Sequence, residues 1–249
     1  MPYRFVTEKE DYSDFASGCV FYNAPGHPAF PVRLVDEIFQ RCLALRGGET
    51  SPVHLYDPCC GAAYHLAVLG YLHSRRIASL TASDVDTAIL EVARRNLSLL
   101  TPSGLVQRQI ELETMATQFG KESHVAALAS VERFRGRWKE RSSSFPMHLF
   151  RADATHSHEI AAQLPVQPVD VVLSDVPYDQ HSAWQLHETL HASPSPPLWH
   201  LLDALIPFLS PQSVVAIAAD KGQKIQHEAY RRAERFQVGK RQIALLQLL

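Results

Sequence analysis

Cysteine is scarce in this chain, and its four residues (Cys19, Cys42, Cys59 and Cys60) include no C-x-x-C pair. Neighbouring Cys59 and Cys60 are badly placed to bridge one another, so reduced thiols in a reducing compartment are expected. Their expected part is to shape a tight loop, because no group that would activate a nucleophilic thiol stands beside them. No apolar run nears the ~18 residues of a membrane span, and the start, Met1-Pro2-Tyr3-Arg4-Phe5, has no signal-peptide core. A cytoplasmic, membrane-free monomer is therefore expected. Glycine is sparse, with 11 residues, and G-x-G-x-x-G is missing. That disfavours a dinucleotide-binding dehydrogenase, which needs such a loop to bring helix N–H groups to a pyrophosphate. Charge of one sign is also lacking. The 24 Lys and Arg against 26 Asp and Glu leave a net charge of −2, which argues against a general electrostatic grip on nucleic acid and leaves local basic groups to provide one.

What is present is an ordinary globular composition, 46% apolar and 20% charged over 249 residues, sized for one large α/β domain with an extension. Residues 1–50 read as an irregular arm followed by a helix, with Val32, Val35, Ile38, Phe39, Cys42 and Leu43 at helical spacing and Gly47-Gly48 as the stop. Residues 51–249 read as alternating strands and helices. Strands are predicted at 53–56, 80–83, 147–151, 169–174 and 214–218, with a last apolar run at 243–249. Helices are predicted at 64–72, 88–100 and 198–209. Residues 101–145 interrupt the alternation as an inserted helical element, with a helical pattern around 126–138. This order predicts a doubly wound, mostly parallel sheet with helices on both faces. Ligands then lie beyond the carboxyl ends of the strands.

Four carboxylates fall at such ends: Asp57, Asp84, Asp153 and Asp175. Asp57-Pro58-Cys59-Cys60-Gly61 turns the first strand into a helix, and an acid there suits a cationic ligand group rather than a phosphate. Asp84 can accept from ribose hydroxyls, and Asp153, with Ala154, can meet an adenine amine. A nucleoside with a cationic tail fits, and S-adenosylmethionine is one. In Asp175-Val176-Pro177-Tyr178, the carboxylate and a carbonyl near Val176 or Pro177 can accept from one NH2 group while Tyr178 stacks on a flat ring. Ordinary turn chemistry also places proline after aspartate at a strand end.

Two basic groups are candidate phosphate contacts. Arg133, Arg135, Arg137 and Lys139 (with Arg141) alternate in the inserted element, and Lys221 and Lys224 lead a second group that runs on to Arg241. Solvated helix faces are the plainer reading of both. His187-Glu188-Thr189-Leu190-His191 matches H-E-x-x-H, the zinc motif of metalloproteases. Pro194, Pro196 and Pro197 cut its helix short and no third ligand follows, so no metal is expected.

The three carboxyl-end motifs resemble those of class I S-adenosylmethionine-dependent methyltransferases that act on exocyclic amines. More closely, the chain resembles the avilamycin-resistance ribosomal RNA methyltransferase family, through Ala24-Pro25-Gly26, the run Pro28 to Leu34, Glu37 to Arg41, Val68-Leu69-Gly70 and Phe119-Gly120-Lys121. The resemblance implies a seven-stranded Rossmann-like sheet and S-adenosylmethionine bound by Asp57, Pro58, Cys59, Cys60, Gly61, Asp84, Asp153 and Ala154. It implies catalysis by Asp175, Pro177 and Tyr178 on guanine N2 of 23S rRNA, free or in the large ribosomal subunit, and antibiotic resistance as a role. Where the family has a second glycine after Gly61, this chain has Ala63, which places a methyl group against the cofactor and hinders a positive φ. Two alternatives stay open: an amine methyltransferase for another base or a protein glutamine, and a binding protein on a scaffold that has lost its cofactor.

Overall fold

The computed structural model describes residues 3–16, 18–24, 29–47, 51–141, 144–177, 184 and 193–249. Seven strands form one sheet: β1 (Val53–Asp57), β2 (Ile77–Asp84), β3 (Met147–Arg151), β4 (Val169–Asp175), β5 (Leu209–Asp220), β6 (Tyr230–Val238) and β7 (Arg241–Leu248). Their order is β3-β2-β1-β4-β5-β7-β6. The first five are parallel, and β7 runs antiparallel to both β5 and β6. Strand order reverses between β1 and β4, which opens a crevice at their carboxyl ends. Asp57 and Asp175 end those two strands.

The helices are α1 (Val32–Leu45), α2 (Tyr64–Leu72), α3 (Thr87–Ser98), α4 (Pro102–Phe119), α5 (Glu122–Arg141), α6 (Ser157–Ala161) and α7 (Pro197–Leu205). α1 is amphipathic, with Leu34, Val35, Ile38, Phe39 and Cys42 inside. α2 is buried from Tyr64 to Tyr71, so its sequence is apolar on every face. The inserted element is a helical hairpin, α4 and α5, and its helical content exceeds the 126–138 expected. Thr101 caps α4 by accepting from the Gly104 N–H at 3.0 Å, and Pro102 occupies the first turn. Gly104 must be glycine, since a Cβ there would lie 2.0 Å from the Ser98 carbonyl oxygen.

β6 is the strand the sequence hides. Arg231, Arg232, Arg235 and Gln237 are exposed along it, as suits an edge strand whose charges discourage pairing with another sheet. The second basic group thus lies on strands and their connections, not on a helix face.

The described residues of the N-terminal arm carry one short 3-10 turn, Ser13–Phe15, and dock into the core. Phe15 packs edge-on against Phe134 at 5.0 Å and stacks with Phe21 at 5.9 Å. Residues of the arm, α1, α2, α3 and the α4–α5 hairpin share one hydrophobic cluster. Glu37, fully buried on α1, accepts from the N–H groups of Arg4 (2.6 Å), Phe5 (2.8 Å) and Val6 (2.8 Å) and from Arg41 Nε (2.7 Å). Burial alone would raise its pKa, but these hydrogen bonds outweigh burial and hold it below the usual range. Asn96, also fully buried, accepts from the Tyr22 N–H (2.8 Å) and donates to the carbonyls of Tyr22 (3.1 Å) and Ala62 (2.9 Å). It ties the arm to the loop after β1.

Glu37→Ala should cost about 3 kcal/mol in chemical denaturation, because it removes the acceptor of the buried Val6 N–H, of the part-buried Arg4 and Phe5 N–H groups and of Arg41 Nε, and should make the first 30 residues sensitive to protease. The stabilisation from a depressed pKa is complete above the unfolded value near ~4.3 and lost as pH falls through the lower folded value. The difference between wild type and mutant should therefore shrink only on the acid side.

Candidate active site

The loop after β1 is organised by Asp57, which is fully buried. Its Oδ1 accepts from the Cys59 N–H at 3.0 Å and from the Ser174 hydroxyl at 2.6 Å. Its Oδ2 lies 2.7 Å from His65 Nε2 on α2, out of line for a good hydrogen bond. The sequence set Asp57 against a cationic ligand group; in the structure its carboxylate is turned inward and joins β1, β4 and α2. The Cys60 N–H donates to the Ser83 carbonyl at 2.9 Å and fastens the loop to β2. Burial pushes both the Cys59 and Cys60 thiols well up, so these cysteines shape the loop and are poor nucleophiles. Gly61 has φ +51°, the left-handed region glycine adopts freely.

Asp84 is partly exposed at the end of β2. Its Oδ2 accepts from the Gly61 N–H at 2.8 Å and its Oδ1 from the Asp86 N–H at 3.1 Å. These bonds fix the orientation of the Asp84 carboxylate at the carboxyl end of β2, where a ligand hydroxyl would meet an acceptor. Asp153 follows β3 by two residues. Its Oδ1 accepts from the N–H (2.9 Å) and hydroxyl (2.7 Å) of Thr155, and its Oδ2 lies 3.2 Å from His156 Nδ1. The carboxylate braces its own turn, with Ala154 buried beside it.

Asp175 ends β4 next to this loop. Its Oδ2 is 3.5 Å from Arg241 Nη2, and its Oδ1 is buried with no hydrogen-bond partner among the described residues. Burial raises the Asp175 pKa, while the charges of Arg241 and His65 pull the other way. For His65, burial lowers the pKa, and Asp57 and Asp175 more than offset it, so the net direction is up. The Pro177 carbonyl already accepts from Gln223 Nε2 at 2.9 Å. Tyr178 lies outside the described residues, as does the whole H-E-x-x-H segment. No group of three or more His, Cys, Asp or Glu side chains fit to hold a metal occurs among the described residues.

His65, Ser174, Gln223 and the pairing of Arg241 with Asp175 were not read from sequence. Ser174 had a signal, being the polar residue that precedes Asp175 in an apolar strand. His65 had little, since one histidine in an apolar helix usually means packing.

The basic residues of the inserted element do not form one stripe. They lie on a single α-helix, where alternate residues point ~200° apart. Arg133 is engaged by Asp14, with Nη2–Oδ1 at 2.5 Å and Nε–Oδ2 at 2.9 Å. Arg135 donates to Gln109 Oε1, Arg137 is exposed, and the Lys139 side chain is outside the described set. Lys221 and Lys224 are exposed on either side of Gln223, in the turn that follows β5.

These residues fit S-adenosylmethionine. A tight loop, an oriented Asp84 and an acidic rather than phosphate-binding lining suit a nucleoside with a sulfonium tail. Ala63 is no obstacle. It adopts φ +51° as the residue before α2 and is fully buried in the core cluster, so its methyl faces inward. The left-handed conformation of an alanine costs on the order of 1 kcal/mol. Ala63→Gly should relieve that strain, lose the methyl packing, and leave the cofactor Kd within about threefold. Calorimetry checks this, and a tenfold tightening would show that the methyl crowds the ligand.

The structural likenesses agree with this geometry. A family model described as rRNA methyltransferase AviRa matches residues 1–241. The chain is 40% identical over 244 residues to the 23S rRNA (guanine(2535)-N(1))-methyltransferase of Streptomyces viridochromogenes, covering 98% of this chain and 95% of that protein. A solved structure of rRNA methyltransferase aviRa from the same organism is similar at TM-score 0.87 and 40% identity, over 99% of this chain and 96% of that one. TrmN from Thermus thermophilus shares the fold, at TM-score 0.51 and 15% identity over 90% of this chain and 50% of its own. Matched in sequence and architecture along nearly its whole length, the chain belongs to the rRNA methyltransferase AviRa family.

Proposed function

We propose that this protein methylates one guanine of 23S rRNA at N1, with Asp175 as the acceptor that takes the N1 proton. Asp175 Oδ1, buried at the end of β4 with no hydrogen-bond partner among the described residues, carries this reading. The relative from Streptomyces viridochromogenes, 40% identical, is named for guanine N1. The sequence had suggested N2, from the likeness of Asp175-Val176-Pro177-Tyr178 to enzymes acting on exocyclic amines. Both atoms lie on the same donor edge of the base, so one acceptor set can face either. N1 carries a proton that must leave, and a carboxylate whose pKa is raised by burial is a better base for it than an ordinary aspartate. An antibiotic-resistance role is part of the same proposal.

S-adenosylmethionine, the cofactor of this family, supplies a methyl group on a sulfonium, a leaving group that needs no activation. The protein's task is orientation, a source of large rate effects. Asp84 orients the nucleoside, the Asp57–Ser174–His65 contacts fix the loop, and Asp175 faces the base. A guanine in folded RNA must be unstacked to reach such a crevice. Lys221 and Lys224, exposed beside it, and Arg137 are the proposed phosphate contacts.

Asp175→Ala should leave the cofactor Kd within about threefold and lower single-turnover transfer to 23S rRNA by at least a hundredfold. Digestion of the wild-type product to nucleosides should yield 1-methylguanosine. N2-methylguanosine would return the acceptor to the exocyclic amine, and full activity in the mutant would remove Asp175 from the chemistry. Because Asp175 works ionised and burial raises its pKa, transfer should fall on the acid side above the ~3.9 of a free aspartate. Arg241→Gln removes a charge that lowers this pKa, so the acid limb of the pH–rate profile should move to higher pH. An unmoved limb would mean that Arg241 does not hold Asp175 ionised.

A further inference from the structure

Gln223 stands in the turn after β5, whose carboxyl end adjoins that of β4. Its Nε2 donates to the Pro177 carbonyl at 2.9 Å. A carbonyl can only accept, so this bond fixes which end of the amide points there. The other end, Oε1, is therefore an acceptor, and it is buried with no hydrogen-bond partner among the described residues. The backbone of the turn is held from behind. Gln242, itself buried, donates to the Gln223 carbonyl and, at 2.8 Å, to the Asp220 carbonyl. The Gln223 N–H donates to the Asp220 carbonyl at 3.1 Å. Arg241, adjacent to Gln242 in β7, meets Asp175. Two buried acceptors without hydrogen-bond partners among the described residues, Asp175 Oδ1 and Gln223 Oε1, thus lie at the adjoining carboxyl ends of β4 and β5, the second tied to Pro177, two positions beyond the first. Buried acceptors in folded proteins are nearly always satisfied, so two such atoms at a site mark the place of a ligand's donors.

We propose that Gln223 is a specificity-determining residue: its side-chain oxygen accepts from the guanine N2 amine while Asp175 faces N1–H. The inference rests on the reading of the substrate as a guanine methylated at N1. Guanine presents two adjacent donors, N1–H and N2–H, on its pairing edge. Adenine presents an acceptor at N1, which two acceptors would repel. Selection for guanine then follows from the site's two acceptors being left unpaired with the wrong base, the kind of discrimination that polar sites achieve best.

The test uses an RNA fragment of 23S rRNA spanning the methylated guanine, and the same fragment with inosine there, which keeps N1–H and lacks the N2 amine. Binding of each to the full-length protein is measured in the presence of S-adenosylhomocysteine. Wild type should bind the guanine fragment about tenfold more tightly, and Gln223→Ala should bind both alike. Gln223→Met fills the same space with only a weak acceptor and should match the alanine variant, which guards against a folding defect. An equal loss for both fragments, with the wild-type preference intact, would overturn the proposal and leave Gln223 as a brace for Pro177. Absence of any preference in wild type would overturn it as well. Product analysis reports separately on the underlying reading. N2-methylguanosine from wild type refutes the N1 assignment, while the binding ratio still decides the role of Gln223.

Discussion

The buried carboxylate of Asp57 is the constraint around which the site is built. An ionised carboxylate withdrawn from water costs several kcal/mol unless its oxygens find partners. Here the partners come from three elements: Cys59 in its own loop, Ser174 on β4 and His65 on α2. Meeting the needs of Asp57 therefore fixes the loop after β1, the end of β4 and the start of α2 relative to one another. Asp175, one residue beyond Ser174, inherits its position from that arrangement. His65 is buried beside these acids; burial disfavours its charged form, and the Asp57 and Asp175 carboxylates more than offset that.

A second consequence concerns the arm and the helical hairpin. Asn96 bonds to Tyr22 and to Ala62, and Arg108 donates to the carbonyls of Val20 and Cys19 at 2.8 and 2.9 Å. The hairpin thus holds the arm, and through Asn96 the arm holds the loop after β1. The inserted element has a structural function here apart from any contact with RNA. Several of its arginines are occupied within the protein.

Much of this was legible in the sequence, for identifiable reasons. The strands of the parallel core carry short apolar stretches; β1, β2, β4 and β5 end on an aspartate and Asp153 follows β3 by two residues, where a doubly wound sheet places ligands. β6 was not legible because an edge strand made of Arg231, Arg232, Glu234 and Arg235 has no apolar pattern to read. The internal contacts of Asp57 and Asp153 were not legible for one shared reason: residue type and strand-end position show where a carboxylate sits but not which N–H and hydroxyl groups it meets. Gln223 and Arg241 were hidden because their meaning lies in contacts across 46 and 66 residues of chain, with Pro177 and Asp175.

The account is tested most directly by supplying labelled S-adenosylmethionine to large ribosomal subunits and to deproteinised 23S rRNA and mapping the label. It predicts incorporation at a single guanine of 23S rRNA in one or both substrates. Label spread over many nucleotides, or placed on another base or on protein, would contradict it. So would the absence of any transfer to either substrate by a protein that binds the cofactor.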